Sequence, residues 1–204
     1  MWVMVVLGVV LCSAGIGLGN QIIYVDSTAT GASDGSSWED AFVYLQDAIT
    51  AAVAHDEIQV ACGVYRPDEG IGYTPGDREA SFVLKNLVRI LGGFPPGGGP
   101  RDPNSCETIL SGDLQGDDDP NTLVKNLLTD PTRADNSYHI VYSDLCGPPT
   151  LLDGLVITGG QAEGLGAPSR GGGWYNISQS SPTITNCVFT EDVPLTVGGC
   201  LATP

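Results

Sequence analysis

Gly171-Gly172-Gly173-Trp174-Tyr175-Asn176, followed by Ser181-Pro182-Thr183-Ile184-Thr185-Asn186-Cys187-Val188-Phe189, is the stretch that decides the reading of this chain. A glycine run, a short spacer and a β-rich segment interrupted by one asparagine describe a coil in a stacked, repeating structure. Inward side chains fall on every second residue of a strand. Ile184 and Phe189 both read as inward, yet the count changes parity between them. One residue in the left-handed region provides that corner, and Gly or Asn tolerates it best. Asn186 fills the role here, and Gly154 fills it in Leu152-Asp153-Gly154-Leu155-Val156-Ile157. A looser copy, Phe82 to Gly93, places Lys85-Asn86 between its apolar halves.

Units of strand, bend and strand cannot bury an apolar face alone, whereas stacking one on the next gives a continuous core. The pattern predicts an all-β, right-handed parallel β-helix, a solenoid, over residues 20–204. Thr108 to Ser111 and Tyr138 to Tyr142 supply further strands. A β-sandwich with strands of similar length is the competing architecture. The opening residues fit a solenoid as well. Gln21 to Val25 is a first strand. Ser36 and Glu39 stand at capping-box spacing, and Phe42, Leu45, Ala48, Ile49, Ala52 and Val53 share one helical face. An amphipathic helix ending near His55-Asp56 is expected to cap the N-terminal end, where exposed edges need cover. Glu57 to Cys62 then alternates as a full rung. Gly63–Ala80, Gly92–Ser105 and Gly112–Asn136 are Gly-, Pro- and Asp-rich connections. At the other end, Gly198-Gly199 starts a unit that stops at Pro204 without a polar cap, so the solenoid reads as truncated there.

The chain resembles the pectate-lyase-like right-handed parallel β-helix proteins of bacterial surfaces. More narrowly, it is similar to those sharing repeats with chlamydial polymorphic outer-membrane proteins. That repeat pairs a Gly-Gly-apolar element with Phe-x-x-Asn. Gly172-Gly173-Trp174 and Phe189-Thr190-Glu191-Asp192 carry the likeness, with Asp192 standing where Asn is expected. Ile23-Tyr24-Val25-Asp26 and Asp34-Gly35-Ser36-Ser37-Trp38 resemble the opening of such proteins. The resemblance implies a fold, and one fold hosts many functions.

Residues 1–19 read as a secretory signal, apolar through Leu11 and ending in Gly17-Leu18-Gly19. They are too short for a comfortable membrane span. An exported, extracellular or cell-surface protein follows, with no membrane insertion beyond that segment. Eight Lys and Arg against 24 Asp and Glu give a net charge of −16. Nucleic acid, which needs clustered cations, is excluded as a partner. Export permits disulfides among Cys62, Cys106, Cys146, Cys187 and Cys200. No C-x-x-C pair suggests zinc. Cys62 and Cys187 lie at strand positions and read as core residues, whereas Cys106 and Cys146 flank predicted loops and are the preferred bridge.

The densest cluster of ligand-type side chains is Asp113, Asp117, Asp118, Asp119 and Asn121. A flexible run of oxygen donors suits calcium, although the spacing is neither an EF-hand nor a nonapeptide calcium repeat. The bland reading is a solvated turn. No cofactor is required by the pattern. Pectate lyases that this fold resembles use calcium with a basic residue that removes a proton. Lys125 and Arg133 are the cations near the acidic run, and Asp113, Asp144 and Asp153 are carboxylates of the type a glycosidase needs. No spacing arranges them, so no catalytic residue is assigned. His55 at a helix end and outward-facing His139 read as ordinary surface residues. Trp38, Trp174 and Tyr175 offer flat faces for sugars, or else pack in the fold. Asn176-Ile177-Ser178 has the form of a glycosylation acceptor. The reading is a non-enzymatic scaffold, adhesin or glycan-binding surface whose partner is a polysaccharide or a surface protein. The alternative is a calcium-assisted polysaccharide lyase or glycosidase.

Overall fold

Apolar residues meet their own kind from strand to strand. Ile23, Ile58, Ile90, Leu152 and Ile184 stand in one lateral row across five parallel strands. These strands are β1 (Ile22–Val25), β2 (Glu57–Ala61), β5 (Arg89–Phe94), β8 (Leu151–Asp153) and β12 (Thr183–Thr185). A second row, Tyr65, Leu110, Ile157 and Phe189, crosses β3 (Gly63–Tyr65), β6 (Thr108–Ser111), β9 (Leu155–Thr158) and β13 (Val188–Thr190). A third, Phe82, Val141 and Trp174, crosses β4 (Phe82–Val83), β7 (Val141–Asp144) and β11 (Trp174–Ile177). A two-stranded sheet pairs β10 (Gln161–Ala162) with β14 (Val193–Pro194). The three rows join in one hydrophobic core, with Ile184 and Phe189 partly buried at its margin. The computed structural model describes residues 20–163 and 170–194. The expected signal at 1–19, Cys200 and the unit begun at Gly198-Gly199 lie outside them.

The expected all-β right-handed parallel β-helix is corrected by this arrangement. The described strands form several small, parallel sheets with few helices, and no closed solenoid is shown. Alternation and glycine corners specify parallel pairing, but they do not specify closure. The connections are also uneven. Parallel neighbours need crossover segments, and β1 and β2 are joined through α1 (Leu45–Ala51), a β-α-β step of α/β type. Between β6 and β7 the chain runs through two 3-10 helices, Val124–Thr129 and Pro131–Asp135, inside a stretch expected to be irregular.

The helix is shorter than its apolar face suggests. Leu45, Ala48, Ile49 and Ala52 are buried, but Val53 is 44% exposed and Phe42 forms a β-bridge with Val25. The Ser36–Glu39 capping box is absent. The Ser36 N–H donates to Asp34 and the Asp40 N–H to Ser37 Oγ, so local turns consume these groups before the helix starts. The helix C-terminus is closed from outside, by Lys85 Nζ donating to the carbonyls of Thr50 and Ala52.

The corners fall where backbone freedom is needed. Gly154 (φ 70°) and Asn186 (φ 50°) occupy the left-handed region at equivalent places, and Asn186 Nδ2 donates to Asp153 Oδ1 at 2.8 Å. In the looser copy the corner is Leu87 (φ 68°) rather than Asn86, whose Oδ1 accepts from the Gly147 N–H instead. The bridge is Cys62–Cys106, not Cys106–Cys146. Pairing of Gly63 with Thr108 brings Cys62, one residue before Gly63, close to Cys106, two residues before Thr108, with their Cα atoms 5.3 Å apart, while Cys146 is a buried free thiol. No described helix is long and apolar enough to cross a membrane.

Leu152 sits fully buried in the middle of its row, whereas Ile184 ends it. Leu152→Ala is expected to cost about 2–5 kcal/mol in urea unfolding, and Ile184→Ala less than half of whatever Leu152→Ala costs. Equal losses would mean the row is not the continuous core described.

Candidate functional site: an aromatic groove beside an acidic loop

The register that buries Phe82, Val141 and Trp174 turns their neighbours outward. Val83, Tyr142 and Tyr175 therefore form an exterior row across β4, β7 and β11. The Tyr142 and Tyr175 rings stand 5.9 Å apart, tilted by 50°. His139 stacks on Tyr175 at 4.7 Å, with 20° between planes. With Tyr138, Ser81 and Glu79 they line an open groove of about 390 Å³, within the size range of small-ligand sites. Arg78 lies 4.4 Å over the Tyr138 ring and pairs with Glu163 at 2.9 Å. Beneath the groove a buried polar chain fixes the sheet. Trp174 Nε1 donates to Ser143 Oγ, which donates to Asn176 Oδ1, and Asn176 Nδ2 donates to the Ser180 carbonyl.

Two pKa shifts mark this surface. Burial holds His139 below its usual value, against the pull of the Gly171 carbonyl 3.0 Å from Nδ1. A carbonyl only accepts, so Nδ1 carries the proton and Nε2 is left as an acceptor. Burial first, and then the charges of Asp144 and Tyr175, raise Tyr142.

Of the aromatics singled out from sequence, only Tyr175 lines the groove. Trp174 is 1% exposed, and Trp38 packs between Tyr24 and Phe94. Asn176, half-buried and engaged at both ends, is poorly placed as a glycosylation acceptor. His55 lies in an exposed turn past the helix, with φ 77°.

The acidic run is divided by the fold. Asp113 and Asp117 meet Asp135, with one oxygen from each lying within 4.8 Å of the others. Asp135 was missed because it arrives from the second 3-10 helix. Asp113 already accepts the N–H groups of Gly116, Asp117 and Asp118. Asp118 turns inward instead, pairing with Arg133 at 2.9 Å and accepting from Asn136. Asp119 and Asn121 bond each other in a local turn. The five expected ligands are thus not one set.

The lyase and glycosidase constellations fare similarly. Arg133 is 1% exposed and donates to Asp118, Gln161 and the Glu191 carbonyl, so it is a structural cation without a free lone pair. Asp153 is committed to Arg101 at 3.2 Å and to Asn186. Burial raises its pKa, but these partners outweigh it and leave the value lowered.

No family model, curated protein or solved structure matches the chain. The groove must be read from its own chemistry.

Asp192 sits against the Gly160 and Gly173 backbone. Its Oδ1 accepts the Gly160 N–H at 2.9 Å, while Oδ2 is buried with no hydrogen-bond partner among the described residues. A Cβ on Gly173 would collide with that oxygen, which accounts for glycine at this point. Burial raises the Asp192 pKa to about 8, with the Gly160 N–H and Arg133 opposing and Glu191 reinforcing. The protonated acid is neutral, and so does the work of the Asn expected there. Above the ordinary carboxylate pKa the unfolded chain loses this proton while the folded chain keeps it. The stabilisation is complete below about pH 4 and drains away as pH rises towards 8. Asp192→Asn is therefore expected to raise the Tm at pH 8 and to flatten its decline between pH 5 and 8. Thermal melts across that range check this, and parallel wild-type and variant curves would refute it.

Proposed function

We propose that this is an exported, non-enzymatic protein that binds polysaccharide through the Tyr142–Tyr175–His139 face. The observation that carries the reading is the exterior row itself. Flat rings at adjacent positions, on a sheet braced from below, suit the apolar faces of successive sugar rings lying across the strands. Rigid strands place such rings more firmly than loops do, which lowers the ordering cost of binding. A scaffold or adhesin role for the rest of the molecule accords with an extensive, acidic exterior. The lyase or glycosidase alternative finds less support, since Arg133, one of its two candidate bases, and Asp153, one of its three candidate carboxylates, are consumed by internal pairs.

A second reading attaches calcium to Asp113, Asp117 and Asp135, favoured by their approach within 4.8 Å. On that reading calcium raises the Tm of the wild type relative to chelator, and Asp135→Asn removes the rise. An unchanged Tm in a calcium titration leaves the loop as a turn held by its own backbone N–H groups.

Retention of the full chain on a panel of insoluble polysaccharides tests the main reading. Tyr142→Ala and Tyr175→Ala are each expected to weaken retention about tenfold while leaving the circular dichroism and melt of the protein unaltered. Retention that ignores both substitutions, or no retention on any member, would overturn it.

A further inference from the structure

The polar edge of the groove says which glycans it takes. We propose that the site selects neutral polysaccharides and rejects uronates and other anionic chains. This rests on the glycan reading of the same face, and it runs against the acidic substrates that the sequence resemblance implies.

The lining of the groove is Glu79, Ser81, Val83, Tyr138, His139, Tyr142 and Tyr175, with one carboxylate and no Lys or Arg. Two of the cations nearby in the fold, Arg78 and Lys85, are occupied. Arg78 donates to the Asn136 carbonyl at 2.6 Å and to Glu163 at 2.9 Å, and its plane covers Tyr138. Lys85, two residues beyond Val83, is turned to the helix C-terminus through the carbonyls of Thr50 and Ala52. Arg170 is exposed beside Gly171 but does not line the groove. Asp144 adds a negative charge close enough to influence Tyr142. A carboxylated sugar entering here would meet Glu79 and Asp144 with no bidentate or ammonium partner to offset its desolvation. The net charge of −16 repels an anionic polymer before contact as well.

The acceptors suit hydroxyl groups. The Glu79 carboxylate and, with Nδ1 protonated toward Gly171, the His139 Nε2 can only accept, and Ser81 can accept or donate. Sugar hydroxyls supply the donors, while the tyrosine rings cover the C–H faces between them. A neutral, hydroxyl-rich chain satisfies every polar group on the rim; a uronate adds acceptors where acceptors already stand.

The test is affinity electrophoresis of the full chain against soluble neutral glucans, xylans and mannans, and against polygalacturonate and alginate. All are run with chelator, so that calcium cannot bridge carboxylates. Retardation by at least one neutral polymer, little changed between low and high salt, with the polyuronates at least about tenfold weaker, is the expected result. Glu79→Lys is expected to raise polyuronate binding. Equal or tighter wild-type binding to a polyuronate in chelator would overturn the selectivity while leaving the glycan reading intact. No retardation by either class would remove both.

Discussion

In-register parallel stacking is the constraint on which the rest of this structure depends. When a strand pairs parallel with its neighbour in register, each side chain lies beside its counterpart on the same face. Ile23, Ile58, Ile90, Leu152 and Ile184 become a continuous apolar row that no single strand could make. The same geometry, read from the other face, places Tyr175 beside Tyr142 and Tyr142 beside Val83. Core and groove are two sides of one register. A shift of one residue in β7 would expose Val141 and bury Tyr142, losing both at once.

Stacking also sets what the corners and loops must do. Changing sheet between rows requires a residue at positive φ, so Gly154, Asn186 and Leu87 stand where the chain turns. The long connection from β6 to β7 lacks a sheet to hold it, and it is anchored by charge instead. Arg133 enters the interior and gathers Asp118, Gln161 and the Glu191 carbonyl. Taking a guanidinium out of water is costly unless its donors are met, and here four hydrogen bonds, to Asp118, Gln161 and the carbonyls of Gly160 and Glu191, largely meet them. Asp192, neutral in the same region, avoids adding a further ion beside the Arg133–Asp118 pair.

Some of this was legible in the sequence, and the division has physical causes. Ile184 and Phe189 read as inward, and Asn186 and Gly154 as corners, because those assignments depend only on local periodicity and backbone tolerance. Closure into a solenoid was not legible, since alternation carries no information on how sheets join. The helix was overextended because Val53 has the right period but lies beyond Ala51, where the backbone has left the helix. The Cys62–Cys106 bridge depends on Gly63 pairing with Thr108, a long-range match that spacing alone does not reveal. The acidic run looked like one ligand set because adjacency in sequence hides direction. Asp118 points to Arg133 while its neighbours point away. The groove was the least visible, as Tyr142, His139 and Tyr175 are brought together only by register.

That last point bears on why the proposed binding face sits on the third sheet. The row across β1, β2, β5, β8 and β12 carries Glu57 and Arg89, paired at 2.8 Å, on its outer side. The row across β3, β6, β9 and β13 is aliphatic outside, with Val64, Ile109, Val156 and Val188 in line. Among the described strands, the row across β4, β7 and β11 sets two tyrosine rings side by side on its exterior, whereas Tyr24 on β1 is covered by Trp38, and the Trp174–Ser143–Asn176 chain braces that sheet from inside with directional bonds. Hydrogen bonds fix orientation where apolar packing fixes only proximity. Rings on such a backing keep their spacing when a ligand arrives, so binding energy goes into contact rather than into ordering the site. On the proposed glycan reading, the aromatic floor and the acidic edge would divide the labour: the rings would hold sugar faces, and the charge would decide which chains can approach.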